Sequence, residues 1–94
     1  MKKLWKIKNI AHPPQKIKLT VVLSSTTSPG IILNPEQFCL SQKDTLTATM
    51  DMQKRRNYIE IKDFDNSELN LPIGKAFDES ELDKATSYTE QYVK

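Results

Sequence analysis

Between Lys16 and Leu23 the chain alternates with a two-residue period: Ile17, Leu19, Val21 and Leu23 fall on one side, Lys16, Lys18, Thr20 and Ser24 on the other. That spacing gives an extended strand one apolar and one polar face, whereas on a helix it would scatter the apolar residues around the axis. β-Branched side chains dominate the run and Val22 is its one departure, which favours a strand further. Trp5 and Ile7 alternate with Lys6 and Lys8 in the same way, predicting a strand over residues 3–10. His12-Pro13-Pro14 separates the two, and because neither proline has an N–H and each restricts its predecessor, the chain must turn there. The pattern predicts an all-β body, a small antiparallel β-sandwich or barrel.

Ser24 to Gly30 reads as a polar loop closed by Pro29-Gly30, and Ile31-Ile32-Leu33 begins the returning strand. Asn34-Pro35-Glu36-Gln37 has proline in the second position of an expected type I turn, leading into a short strand from Phe38 to Ser41. From Thr45 to Met52, Leu46, Ala48, Met50 and Met52 alternate with Thr45, Thr47, Thr49 and Asp51. This is expected to be a strand; the competing reading is a helix capped at Ser41, opposed by the threonines, which are poor helix formers. Gln53 to Asn57 then forms a polar turn, and Tyr58 to Lys62 returns with Ile59 and Ile61 inward.

The character changes after Phe64. Asp65-Asn66-Ser67 marks a turn, and Leu69 to Gly74 is extended and apolar, the look of an arm. Ser80 with Glu81 and Asp83 is a helix start, and Leu82, Ala85, Tyr88 and Tyr92 form an apolar stripe, predicting a short helix over 80–91. The expected organisation is a β body over 1–64 and an acidic C-terminal arm over 65–94.

Charge divides at the same place. Residues 1–59 carry ten Lys/Arg against three acids, and residues 60–94 carry nine acids against four lysines, so a net charge of +2 conceals +7 and −5. Opposed fields govern association more than fold. The hydrophobic share of 37 % is low for a domain of 94 residues, so partner surface is expected to complete the burial. With no signal-peptide run and no apolar stretch of membrane-spanning length, a soluble intracellular product, or part of a particle assembled inside a cell, is expected.

Residues that could carry chemistry are few. Cys39 is the one cysteine, so neither an intramolecular disulfide nor a cysteine metal cluster can form, and its place between Phe38 and Leu40 reads as an inert strand position. His12 is the one histidine and reads as a solvated turn residue. Asp63, Asp65 and Glu68 faintly resemble a calcium loop, but Glu68 stands at its glycine position and Gly74 at its terminal glutamate. With Gly30 and Gly74 alone, a glycine-rich phosphate loop cannot be built. No enzyme, cofactor, metal or small-molecule substrate is expected. The lysines of the two N-terminal strands with Lys54-Arg55-Arg56 could hold phosphates, with Trp5 or Tyr58 stacking on bases. Trp5 is in phase with Ile7 and reads as core, so an acidic protein partner is preferred over nucleic acid.

The stretches Ile7-Lys8-Asn9, Lys16 to Leu23, Leu33-Asn34-Pro35-Glu36-Gln37-Phe38 and Lys54-Arg55-Arg56-Asn57-Tyr58-Ile59-Glu60-Ile61 occur in an order that resembles the small all-β structural proteins of tailed bacteriophages. Glu36 stands where that pattern has glycine. The resemblance implies a virion subunit assembled in the host cytoplasm, decorating the capsid or sitting at the neck or tail in many symmetric copies. Its partners would be other virion proteins and copies of itself. Lys54, Arg55, Arg56, Leu69, Leu71, Ile73, Phe77, Tyr88 and Tyr92 are the expected partner-binding residues, with the acidic arm of one subunit docking on the body of the next. The alternatives are a nucleic-acid-binding module and a small acidic-tailed inhibitor or adaptor.

Overall fold

The computed structural model describes residues 3–67 and 69–82. In chain order the elements are β1 (Lys3–Asn9), β2 (Ile17–Leu19), β3 (Ile31–Leu33), β4 (Phe38–Gln42), α1 (Ala48–Arg55) and β5 (Ile59–Asp65). The fold is mostly β, with two open sheets: β4-β1-β5, antiparallel throughout, and the β2–β3 hairpin.

The three-stranded sheet is covered on both faces. On one, Ile7, Cys39 and Ile59 pack with Ile17, Leu19, Ile31 and Leu33 of the hairpin and Met50 of α1. On the other, Leu4, Phe38 and Leu40 meet Phe64, Leu71, Ile73, Phe77 and Leu82. Four consecutive residues of β4, Phe38 to Ser41, are therefore buried, a run without alternation that marks a strand covered on both sides.

β2 is shorter than the alternation predicts, and beyond Leu19 hydroxyls satisfy its backbone. The Thr20 N–H donates to Thr49 Oγ1 at 2.8 Å, and the Thr47 hydroxyl donates to the Thr20 carbonyl at 2.7 Å. Val21 N–H donates to Ser28 Oγ and Val22 N–H to Ser41 Oγ, each at 3.1 Å. The backbone of Thr20 faces α1, and the next ladder position would set Val21 opposite Pro29, which has no N–H, so the strand ends at Leu19.

The expected strand over 45–52 is instead the helix α1. Thr47 is its N-cap, accepting from the Met50 N–H at 3.2 Å. Its C-terminus closes with Asn57 in the left-handed region at φ 61°, Asn57 N–H bonding the Lys54 carbonyl and Tyr58 N–H the Gln53 carbonyl, both at 3.0 Å. Low intrinsic propensity is overridden because Thr47, Thr49 and Gln53 stitch the helix to the outer edge of β2; Gln53 Nε2 reaches the Lys18 carbonyl.

The 34–37 turn is closed by Gln37 N–H to the Asn34 carbonyl at 3.0 Å, but Glu36 has φ 70°, the third-residue geometry of a type II turn rather than the expected type I. Two buried asparagines organise the loops. Asn9 Nδ2 donates to the carbonyls of Gln15 (2.8 Å) and Leu33 (3.0 Å), while its Oδ1 accepts from the Ala11 N–H (3.0 Å). Asn66 clamps both backbone groups of Leu71.

Candidate functional site

The residues expected to bind partners fall into two groups. Leu71, Ile73 and Phe77 pack, partly buried, against the sheet of their own chain. The cause is the second face of the main sheet, where Leu4, Phe38 and Leu40 need an apolar cover. Phe77 and Phe38 exchange backbone hydrogen bonds at 2.9 and 2.8 Å, and their rings stand 5.7 Å apart. The Gly74 N–H bonds the Leu40 carbonyl at 3.2 Å, and glycine fits there at φ 83° because a Cβ would come within 2.8 Å of Leu23. Leu69 is half-buried in the turn leading to this segment. Tyr88, Tyr92 and the helix beyond Leu82 lie outside the described residues; Ser80, Glu81 and Leu82 are helical.

Opposite charges also meet within the chain. Glu79 pairs with Lys6 at 2.9 Å and Lys8 at 3.5 Å, and Lys8 also reaches Glu36 at 3.2 Å. Lys6 Nζ lies 5.0 Å from the centre of the Phe38 ring. The hydrogen bond to Glu36, opposed by partial burial and aided by Glu79, raises the Lys8 pKa above its ordinary value. Exposed pairs contribute at most about 1 kcal/mol each, while fully burying one large apolar side chain contributes about 1.5–3 kcal/mol. The apolar cover therefore holds the segment, and the ion pairs set its register.

Lys54, Arg55 and Arg56 are exposed at the C-terminal end of α1, where cations complement the helix dipole. Gln53 ties this turn to β2, which places the helix end beside the strand bearing exposed Lys18, with exposed Lys16 just before it. Lys18 lies over Gly30. Arg55 pairs with Asp51 at 3.0 Å, but Lys16, Lys18, Lys54 and Arg56 form no ion pair among the described residues. By contrast Lys6, Lys8, Lys43 and Lys62 each have a carboxylate partner. Of the six described Lys and Arg without an ion pair, four therefore lie on the β2 and α1 side, with Lys3 and Lys75 elsewhere; that side also carries Ile32, 57 % exposed and opposite Lys18, and Met52, 40 % exposed. Sequence spacing could not bring Lys16 and Lys18 to Lys54-Arg55-Arg56, because the stitching bonds are tertiary.

Trp5 and Tyr58, the candidate stacking residues, are half-buried against the core. His12 is an exposed turn residue. Burial pushes the Cys39 thiol up to about 12, so it carries no nucleophilic thiolate near neutrality. Asp63 pairs with Lys43, and Asp65 accepts from the Ser67 N–H and hydroxyl, which lowers its pKa. No group of three potential metal ligands gathers among the described residues. An open trough of about 740 Å³ between the sheet end and the 66–73 loop, lined by Leu23, Gln42, Asn66 and Leu71, has Lys3 as its one charged side chain among the described residues, which there form no acid–base pair. No helix among the described residues is long and apolar enough to cross a membrane. Compared with known proteins, the chain matches no protein-family model, no curated protein and no solved structure.

Proposed function

We propose that this chain is a non-enzymatic structural subunit of a phage-like particle, in a capsid-decoration, neck or tail position, acting through protein–protein contacts. The observation that carries the reading is the uncompensated cationic surface of Lys16, Lys18, Lys54 and Arg56, interspersed with exposed Ile32 and Met52. Mixed charge and apolar area suits an acidic protein surface better than a phosphate backbone, since the aromatic side chains that would stack on bases are packed inward. The finer architecture belongs to the same proposal: a minimal sandwich with the β2–β3 hairpin as its second sheet. Because the segment up to Leu82 is spent on its own body, the basic face replaces the arm as the principal contact.

The test is mass spectrometry of particles banded from cells that carry the gene, with wild-type chain against Lys54→Glu/Arg56→Glu. Wild-type chain at a fixed copy number, with the variant reduced or lost, supports the reading. A chain found in the soluble fraction alone contradicts it. Tight binding to duplex DNA, with affinity falling steeply as salt rises, would favour the nucleic-acid-binding module instead.

A further inference from the structure

The two edges of the three-stranded sheet are treated differently. The outer edge of β4 is occupied: Gln42 N–H bonds the Val22 carbonyl, Gly74 N–H the Leu40 carbonyl, and Phe77 bridges Phe38. The outer edge of β5 receives no strand among the described residues.

The phase of the ladder shows which groups point out from it. Asn9 of β1 bonds towards β4, donating to the Gln37 carbonyl and accepting from the Glu36 N–H, while Ile10 N–H bonds the Tyr58 carbonyl on the β5 side. In an antiparallel ladder these directions alternate. With Lys8 opposite Glu60 and Lys6 opposite Lys62, the even-numbered residues of β5 bond to β1, and the backbone groups of Ile59, Ile61 and Asp63 point away from the sheet.

We infer that this edge pairs with the same edge of a second copy, antiparallel about a two-fold axis at Ile61. The register follows from charge. With Ile61 opposite Ile61, Glu60 of each copy faces Lys62 of the other in the pairs without backbone bonds, where side chains approach most closely. Ile59 then exchanges backbone bonds with Asp63. Moving the axis to Lys62 sets lysine against lysine, and moving it between Ile61 and Lys62 is excluded by the ladder phase, since it would set outward-bonding residues against inward-bonding ones. Edge charges ordinarily prevent pairing between copies. Here the Glu60-Ile61-Lys62 order is self-complementary: Glu60 and Lys62 pair with each other at 3.1 Å within the chain, and at 41 % and 67 % exposure both can also reach the opposite charge across the axis.

The inference rests on the assembly reading above and gives it a self-contact. The two fail separately, since particle incorporation without a β5 dimer removes this inference alone, and a dimer without incorporation removes the particle.

Sedimentation velocity of the full chain up to about 1 mM is the experiment. The expected result is a concentration-dependent dimer. Glu60→Lys and Lys62→Glu singly each raise the dissociation constant about 10- to 100-fold, and the Glu60→Lys/Lys62→Glu double variant restores it, because two symmetric pairs turn repulsive and then attractive again. Asp63→Pro removes an outward N–H that bonds nothing among the described residues, so it yields a monomer with unchanged circular dichroism. A wild-type monomer throughout, a dimer indifferent to Asp63→Pro, or a double variant no better than the singles would overturn the inference.

Discussion

Asn9 should be among the most sensitive positions in the chain, although it lies on a strand otherwise read by its lysines and apolar residues. It is 1 % exposed and joins β1 to the 11–15 turn and to β3 through three hydrogen bonds of 2.8–3.0 Å. Asn9→Ala leaves the Ala11 N–H buried without a partner, costing about 1–3 kcal/mol; the Leu33 carbonyl, which also faces Ile17 in the hairpin ladder, and the Gln15 carbonyl, on an exposed residue, each lose one bond at about 1 kcal/mol. The sum, about 3–5 kcal/mol, is a large part of the roughly 5–14 kcal/mol available to a domain of this length. Urea unfolding followed by Trp5 fluorescence reads it directly, and the corresponding fall in melting temperature is at least about 12 °C. Asn9→Asp, nearly isosteric, keeps the acceptor for Ala11 but aims a carboxylate at two carbonyls. Its deficit should be at least as large at neutral pH and should shrink as acidification protonates the new carboxyl. A loss below about 1 kcal/mol for Asn9→Ala, or an Asn9→Asp deficit indifferent to pH, would refute the reasoning.

Other consequences follow from single contacts. Cys39 should resist an aromatic disulfide reagent at pH 8 in the folded chain and react within seconds in urea, since burial holds its pKa near 12; fast native labelling would contradict the buried strand position. Lys8 has a folded pKa above 10.5, so its pairing stabilises fully below that value and is lost as pH rises through the folded pKa; Glu36→Gln should flatten this alkaline loss in urea midpoints measured from pH 9 to 12. Glu36→Gly should raise stability by about 0.5 kcal/mol, relief of the left-handed backbone outweighing glycine's chain entropy and an exposed ion pair; calorimetry checks the sign.

The strands with one wet face were legible in the sequence. β1 and the start of β2 follow their alternation because each sets lysines against a core side, and the apolar run after Pro29-Gly30 marked β3. β5 was foreseen but runs on to Asp65. α1 was misread because Ala48, Met50 and Met52 also satisfy a strand period, and because the threonines that argue against a helix act here as its cap and as bonds to β2. Two local signals were present: Thr47 ahead of Asp51 in the first turn, and Asn57 just after Lys54-Arg55-Arg56, a left-handed C-terminal stop. The charge division was plain, but whether it acts within a chain or between chains depends on Leu4, Phe38 and Leu40 sharing a face, which no local pattern reveals. The cationic surface was half visible for the same reason, its lysines lying far in sequence from the helix end they adjoin.

The segment up to Leu82 covers its own sheet, and the basic face and the β5 edge are the surfaces proposed for partners. An isotope-filtered nuclear Overhauser measurement on an equimolar mixture of ¹³C-labelled and unlabelled chain tests this directly at the Phe38–Phe77 ring contact. The prediction is a strong Phe38–Phe77 effect within the labelled chain and none between labelled and unlabelled copies. A cross-copy effect between those rings would show the segment docked on a neighbour and contradict the account.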